Sequence, residues 1–247
     1  MSDLNQLSGT YTIDPSHTEI GFVARHAMVT KVRGSFTEFE GTASTEAGLV
    51  NAKINLTAQV ASVSTGSADR DGHLKSADFF DVENYPTITF TSTEVSAPVA
   101  DQLRVTGDLT IKDVTRPVTI DFEFEGAAQD PFGNERVGLS GSVVVNRKDF
   151  GLTWNAALET GGVLVSEDIT LNFEVSAIKA VEAAAEEAAV EAAVEEAPVA
   201  EAAAPVAEAA APRAEAPKAE EAPARAQARQ GGFMGWVKNL FSSSSTR

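Results

Sequence analysis

An all-β fold of eight or nine antiparallel strands, followed by a low-complexity tail, is what this sequence predicts. Three observations predict it. Apolar and polar residues alternate with period two through the first 178 residues. Within that region one short segment alone suits a helix, and at about Lys179 the composition changes abruptly. Many strands with one apolar face each must pack as a sandwich or close on themselves.

The alternation is clearest in five segments. "VTIDFEFEG" sets Val118, Ile120, Phe122 and Phe124 against Thr119, Asp121, Glu123 and Glu125, and "DITLNFEVSAI" repeats this with Ile169, Leu171, Phe173 and Val175. "LRVTGDLTI" supplies Leu103, Val105, Gly107, Leu109 and Ile111. "INLTAQV" supplies Ile54, Leu56, Ala58 and Val60, and "VGLSGSVVV" supplies Val137, Leu139, Gly141, Val143 and Val145. Each is the signature of a half-buried antiparallel strand. Further strands are expected near 10–14, 18–27, 32–45 and 87–97, with "DPFGNE" (130–135) as a hairpin turn. Between Phe36 and Phe39 the parity slips by one residue, which predicts a β-bulge. The helix is expected over Ala68 to about Asp81, capped by Ser67 or Asp69 and stopped by Pro86.

From about Lys179 to Arg229 the chain is nearly all Ala, Glu, Pro and Val, with no Phe, Trp, Tyr, Leu or Ile. Such a segment buries too little apolar surface to offset its ordering entropy. The expected division is therefore a folded domain over 8–178, an Ala/Glu/Pro-rich linker over 179–230, disordered or partly helical, and a short element over 231–247. The last element, "GGFMGWVKNLF", sets Phe233, Met234, Trp236, Val237, Leu240 and Phe241 on one helical arc, with Lys238 on the other. A basic amphipathic element of this kind suits an anionic membrane surface or a protein groove, through Phe233, Trp236, Val237, Lys238, Leu240 and Phe241.

Charge and composition exclude several functions. The formal net charge is −17, and residues 1–178 hold 12 Lys+Arg against 25 Asp+Glu. Phosphate backbones repel such a domain, so no nucleic-acid partner is expected. The absence of cysteine removes disulfides, zinc–thiolate sites and thiol nucleophiles. The three histidines, His17, His26 and His73, lack metal-ligand spacing, and no G-x-S-x-G, P-loop or dinucleotide fingerprint occurs. No metal, no cofactor and no catalysis are expected. The start "MSDLNQLSGTYTIDPSH" has neither the basic nor the apolar run of a signal peptide, which predicts a cytoplasmic protein, at most peripheral to the inner face of the membrane.

What remains is the interior. Its inward sets mix Phe with Gly and Ala, leaving room for either a solid core or one slim ligand. His26 follows Ile20, Phe22 and Ala24 in parity and points inward, where a core histidine with a satisfied hydrogen bond is the plainer reading.

Four blocks then carry a resemblance: "YTIDPSHTEIGFVARHAMVTKVRGSF" (11–36), "RDGHLKSADFFDVENYPTITF" (70–90), "GDLTIKDVTRPVTI" (107–120) and "NRKDFGLTWN" (146–155). In this order they resemble the signature blocks of the YceI-like family, over about residues 10–178. The resemblance implies a lipocalin-like, eight-stranded antiparallel barrel that binds a polyisoprenoid or similar amphiphilic lipid, quinone-like lipids included. It also implies a role in stress response for some members. Under it, 70–86 becomes a lid, with Leu74, Phe79 and Phe80 dipping into the barrel and Arg70, His73 and Lys75 near its rim. Arg70 and Asp71 have an alternative role, fixing the lid by hydrogen bonds. "NRK" (146–148) is a second dense cationic candidate for a head group. The expected ligand contacts are Ile20, Phe22, His26, Phe36, Leu56, Phe90, Leu109, Phe122, Leu139 and Phe173 on strands, Arg70, His73, Leu74, Phe79 and Phe80 in the lid, and Trp154 on the late loop. In a rival reading the barrel is a scaffold and the C-terminal helix tethers it as an adaptor.

Overall fold

The computed structural model describes residues 4–159 and 161–180. Eleven strands form one sheet: β1 (Gly9–Ile13), β2 (Glu19–His26), β3 (Thr30–Phe36), β4 (Phe39–Glu46), β5 (Val50–Gln59), β6 (Val63–Ser64), β7 (Thr87–Val99), β8 (Gln102–Ile111), β9 (Val114–Gln129), β10 (Glu135–Asn146) and β11 (Asp168–Lys179). Pairing runs β1-β4-β5-β7-β8-β9-β10-β11 and returns from β11 to β1. That path is a closed, eight-stranded antiparallel barrel, so no sheet edge is left open along it.

Two positions in the barrel are each built from two strands. Along β11, β1 pairs with Ala177–Lys179 and β2 with Thr170–Glu174, so β2 continues β1 beyond a break at residues 14–18. In the same way β4 pairs with β1 while β3 pairs with β2. The parity slip expected as a bulge is thus a full break at Thr37 and Glu38, where the chain bends from one partner to the other. The strand expected as 32–45 is two strands for that reason. β6 then adds to the outer side of β3.

The alternation lands where the pattern puts it. On β8, Leu103, Val105, Gly107, Leu109 and Ile111 are buried while the residues between them are half-buried or exposed. Val105 is 1% exposed. At the end of the barrel away from the lid, the N-terminal 3-10 turn Leu4–Gln6 packs Leu4, fully buried, against the same core.

Glycines on the inner wall make space for rings. A Cβ on Gly107 would lie 2.5 Å from Cζ of Phe90 and 2.5 Å from the carbonyl oxygen of Thr91, and one on Gly141 would lie 2.7 Å from the Phe122 ring. The rings lie flat over bare backbone at these points. The interior is therefore wider than an all-branched wall would leave it.

The strand break at 14–18 is held by an ion network that crosses β11. Arg136 on β10 donates from Nη1 to Asp14 Oδ2 at 2.5 Å and from Nε to Asp130 Oδ2 at 2.8 Å. The Ser16 hydroxyl donates to Asp14, and the His17 ring lies 2.7 Å from its second oxygen. Thr18 restores the lost ladder by exchanging hydrogen bonds with the backbone of Ser176. The Arg136 guanidinium and the Ser16 and His17 partners hold the buried Asp14 carboxyl below the usual carboxylate range, and burial opposes them. Asn134 and Arg136 do the same for Asp130.

The one α-helix among the described residues, α1 (Ala68–Lys75), is shorter than the 68–81 expected. Ser76 leaves helical geometry and its backbone N–H closes on the His73 carbonyl, after which 76–85 is a run of turns. Ser67 occupies the cap position but makes no side-chain cap bond. The expected linker and C-terminal element, with Phe233, Trp236, Val237, Lys238, Leu240 and Phe241, lie outside the described residues apart from the linker's first two positions.

Two outcomes follow from this geometry. Gly107→Ala is expected to lower stability by about 1–3 kcal/mol through the clash with Phe90 and Thr91. Gly72→Ala on α1, where a new Cβ meets nothing within 4 Å, is expected to raise it by about 0.5–1 kcal/mol. Equilibrium urea unfolding of both variants checks the contrast. The second outcome concerns acid. Depressed carboxyl pKa values stabilise the fold above the unfolded-state value of about 3.9, and that contribution is lost as pH falls below it. The thermal midpoint should drop steeply below about pH 4, whereas Asp14→Asn should start lower at neutral pH and drop less. Parallel pH profiles for the two proteins would show that the network is not the cause.

Candidate functional site

Four chain connections gather at one end of the barrel, because β2, β5, β8 and β10 all finish there. Two of them close it. The β5–β7 connection carries α1 and the turns after it, and the β10–β11 connection carries a 3-10 turn, Arg147–Phe150, and a long irregular loop. The backbone N–H of Val60 donates to the Pro86 carbonyl at 2.8 Å, which ties the two ends of the first connection together.

Beneath them lies a cavity of about 240 Å³. Its wall extends from Phe22, Phe36, Phe150 and Leu152 near the lid to Tyr11, Ala43 and Ala177 at the far end, and it is apolar almost throughout. Of the residues expected to meet a ligand, Ile20, Phe22, Phe36, Leu56, Leu74, Phe79, Phe80, Phe90, Leu109, Phe122, Leu139 and Phe173 line this cavity. His26, Arg70, His73 and Trp154 do not.

Each of those four has a place of its own. The Arg70 guanidinium donates from Nε to the Thr65 hydroxyl at 2.7 Å and from Nη2 to the Thr65 carbonyl at 2.8 Å. Asp71 accepts from the Thr65 backbone N–H at 2.9 Å. This pair anchors the start of α1, the alternative role open to it from sequence. His73 stands edge-on to Trp154 at 4.7 Å and to Phe79 at 5.0 Å between ring centroids, and its Nε2 lies 3.0 Å from Asp78. Trp154 also packs on Phe79 at 5.3 Å. The three rings latch the lid to the late loop, and His73 takes part in that latch and not in the cavity wall. His26, at the end of β2, bridges to Val165 in the same loop.

On the inner side the rings continue as a chain. Phe80 packs edge-on to Phe36, and Phe36 packs on Phe22, each at 5.9 Å. Phe79, 6% exposed, is held between the latch and the cavity. The lid thus makes aromatic contacts both toward the barrel interior, through Phe80, and toward the late loop, through His73 and Phe79.

The one charged side chain in the cavity wall, among the described residues, is Arg147. Asn146 caps its turn by accepting from the Lys148 N–H at 3.0 Å, and Gly151 ends the turn in a left-handed conformation (φ +75°). Arg147 is 5% exposed. It donates from Nε to the Ser166 carbonyl at 2.9 Å and from Nη1 to the Leu152 carbonyl. Burial lowers the basicity of its guanidinium, and the Glu167 carboxylate pulls the other way. The cluster "NRK" draws attention in the sequence, but nothing there tells that the middle residue turns inward while Lys148 pairs with Glu167 at 2.5 Å outside.

No described group of His, Cys, Asp or Glu has the arrangement to hold a metal ion. No described helix is long and apolar enough to cross a membrane.

A closed antiparallel barrel with an apolar interior and an aromatic lid defines a class of small β-barrel domains built around a cavity. Residues 11–177 match the YceI-like domain, and the chain belongs to that family. It is similar to a UPF0312 protein of Staphylococcus aureus strain MSSA476, 37% identical over 169 residues, which are 68% of this chain and 95% of that protein. Among solved structures it is similar to the Campylobacter jejuni YceI protein, with TM-score 0.56 and 31% identity over 64% of this chain and 90% of that one. Burkholderia cenocepacia BcnA shares the fold at 21% identity, with TM-score 0.59 over 66% of this chain and 98% of that one. So does a polyisoprenoid binding domain from Saccharophagus degradans, at 18% identity and TM-score 0.53 over 69% and 98%.

The latch makes a specific expectation. Phe79→Ala should raise hydrogen exchange and protease cleavage within 68–86 while β8 and β9 keep their protection, because opening is local. An equal loss of protection across all strands would show that the lid is part of one cooperative core.

Proposed function

We propose that the barrel holds the apolar chain of a polyisoprenoid or similar amphiphilic lipid in its interior without transforming it. One observation carries this reading: a lidded cavity of about 240 Å³, apolar almost throughout, runs through the barrel from the lid toward its far end. Ligand pockets commonly span about 300–1,000 Å³, so this one suits a slim chain, and a long one enters only if the lid and the phenylalanine rings give way. A relative in fold is described as a polyisoprenoid binding domain, which agrees with the chemistry of the cavity. At its identity the likeness is one of fold alone.

The tethered-adaptor reading rests on residues 231–247, which lie outside the described residues. The cavity has no purpose in it, and carriage is the better reading. Loading from a membrane surface belongs to the proposal, since an amphiphile with a long apolar chain resides there.

Each methylene buried in such a tunnel contributes about 0.8 kcal/mol. Affinity for a series of polyprenols should therefore rise steeply with chain length and then level off once the tunnel is full. Val105→Phe, in the middle of the wall, should bring that plateau to a shorter chain, at a stability cost of about 1–3 kcal/mol. Calorimetric titration below the micellar concentration reads both. Affinity independent of chain length and indifferent to Val105→Phe would overturn the proposal.

A further inference from the structure

We infer that Arg147 is the head-group anchor of this cavity and that its ligand ends in a single, singly charged carboxylate seated under the lid. The inference rests on the carriage reading and deepens it. Two of the three guanidinium nitrogens are committed to backbone carbonyls, those of Ser166 and Leu152. The third, Nη2, is buried and has no hydrogen-bond partner among the described residues. Buried donors are nearly always paired, and an orphan on a charged group is the expensive kind.

Nor does a neighbouring carboxylate pair with the charge directly. Glu167, the carboxylate acting on Arg147, has its Oε1 engaged by Lys148 Nζ at 2.5 Å, and among the described residues no ion pair joins Glu167 to Arg147. A cation held at 5% exposure in a wall of hydrocarbon gains most from an anion brought to it by the ligand. A guanidinium with one free nitrogen matches one oxygen of a carboxylate, a charge-assisted hydrogen bond. A diphosphate would bring more charge than this single cation answers, and no other charged described residue lines the cavity.

The position fixes the ligand's direction. Arg147 opens the β10–β11 connection, and Phe150 and Leu152 beside it line the cavity at the lid end. The head sits under the lid, and the chain points toward Tyr11, Ala43 and Ala177. The last part to enter is then the part that meets Arg147, so the lid closes over a neutralised charge.

The test is a matched series on the whole protein: palmitate, methyl palmitate and hexadecanol, each titrated calorimetrically below its aggregation limit. Palmitate is expected to bind about ten- to a hundredfold tighter than the ester and the alcohol, the range for a hydrogen bond to a charged group. Arg147→Met should compress the acid-to-ester ratio to within about twofold, and Arg147→Lys should restore part of it. Equal binding of all three ligands by the natural protein overturns the anchor and leaves carriage standing. Binding of none overturns carriage and the anchor with it. If Arg147→Met does not fold, the ratio measured on the natural protein decides the question alone.

Discussion

Closure along β11 is the constraint on which the rest of this structure depends. That strand pairs with β10 from Asp168 to Ile178 on one side and with both β1 and β2 on the other. An eight-stranded barrel has no edges only if this seam holds. The seam is also interrupted, since β1 gives way to β2 across residues 14–18, where the Asp14 backbone N–H still donates to the Ser176 carbonyl. Asp14, Arg136 and Thr18 repair it, with Arg136 reaching across β11 from β10. An almost wholly apolar interior is tolerable because the wall strands direct their backbone hydrogen bonds to one another.

From that closure the cavity follows. Strand alternation turns one side chain in two inward, and the glycines opposite Phe90 and Phe122 let large rings lie against the wall instead of filling the axis. The barrel's far end is plugged by Leu4, and its near end is covered by two long connections that meet through His73, Phe79 and Trp154. The cover is thus an aromatic contact between segments far apart in sequence. A closed wall and a cover held by rings together enclose the cavity.

Much of this was legible in the chain. The inward sets of β8, β9 and β11 follow from period two because those strands are regular over many residues, and the lid phenylalanines stood out as an apolar pair in a polar stretch. Three features were hidden, each for a physical reason. The break at Thr37 and Glu38 looks like a one-residue bulge in sequence, since parity alone does not say whether a strand changes partner. The early end of α1 at Ser76 is set by local turns that compete with helix propensity. Arg147 sits where a strand ends, a place that usually presents cations to water, and its burial is decided by the carbonyls of Ser166 and Leu152, one of them distant in sequence. His73 and Arg70, expected near the rim of the barrel, hold the lid in place through Trp154 and Thr65.

The central claim is that the interior carries a lipid chain. Native mass spectrometry of the protein purified from its own source, followed by organic extraction, tests it most directly. The account predicts one bound species with a long apolar chain, released when the barrel is unfolded. A protein that leaves its host with no added mass, and gains none when mixed with polyprenols, would contradict it.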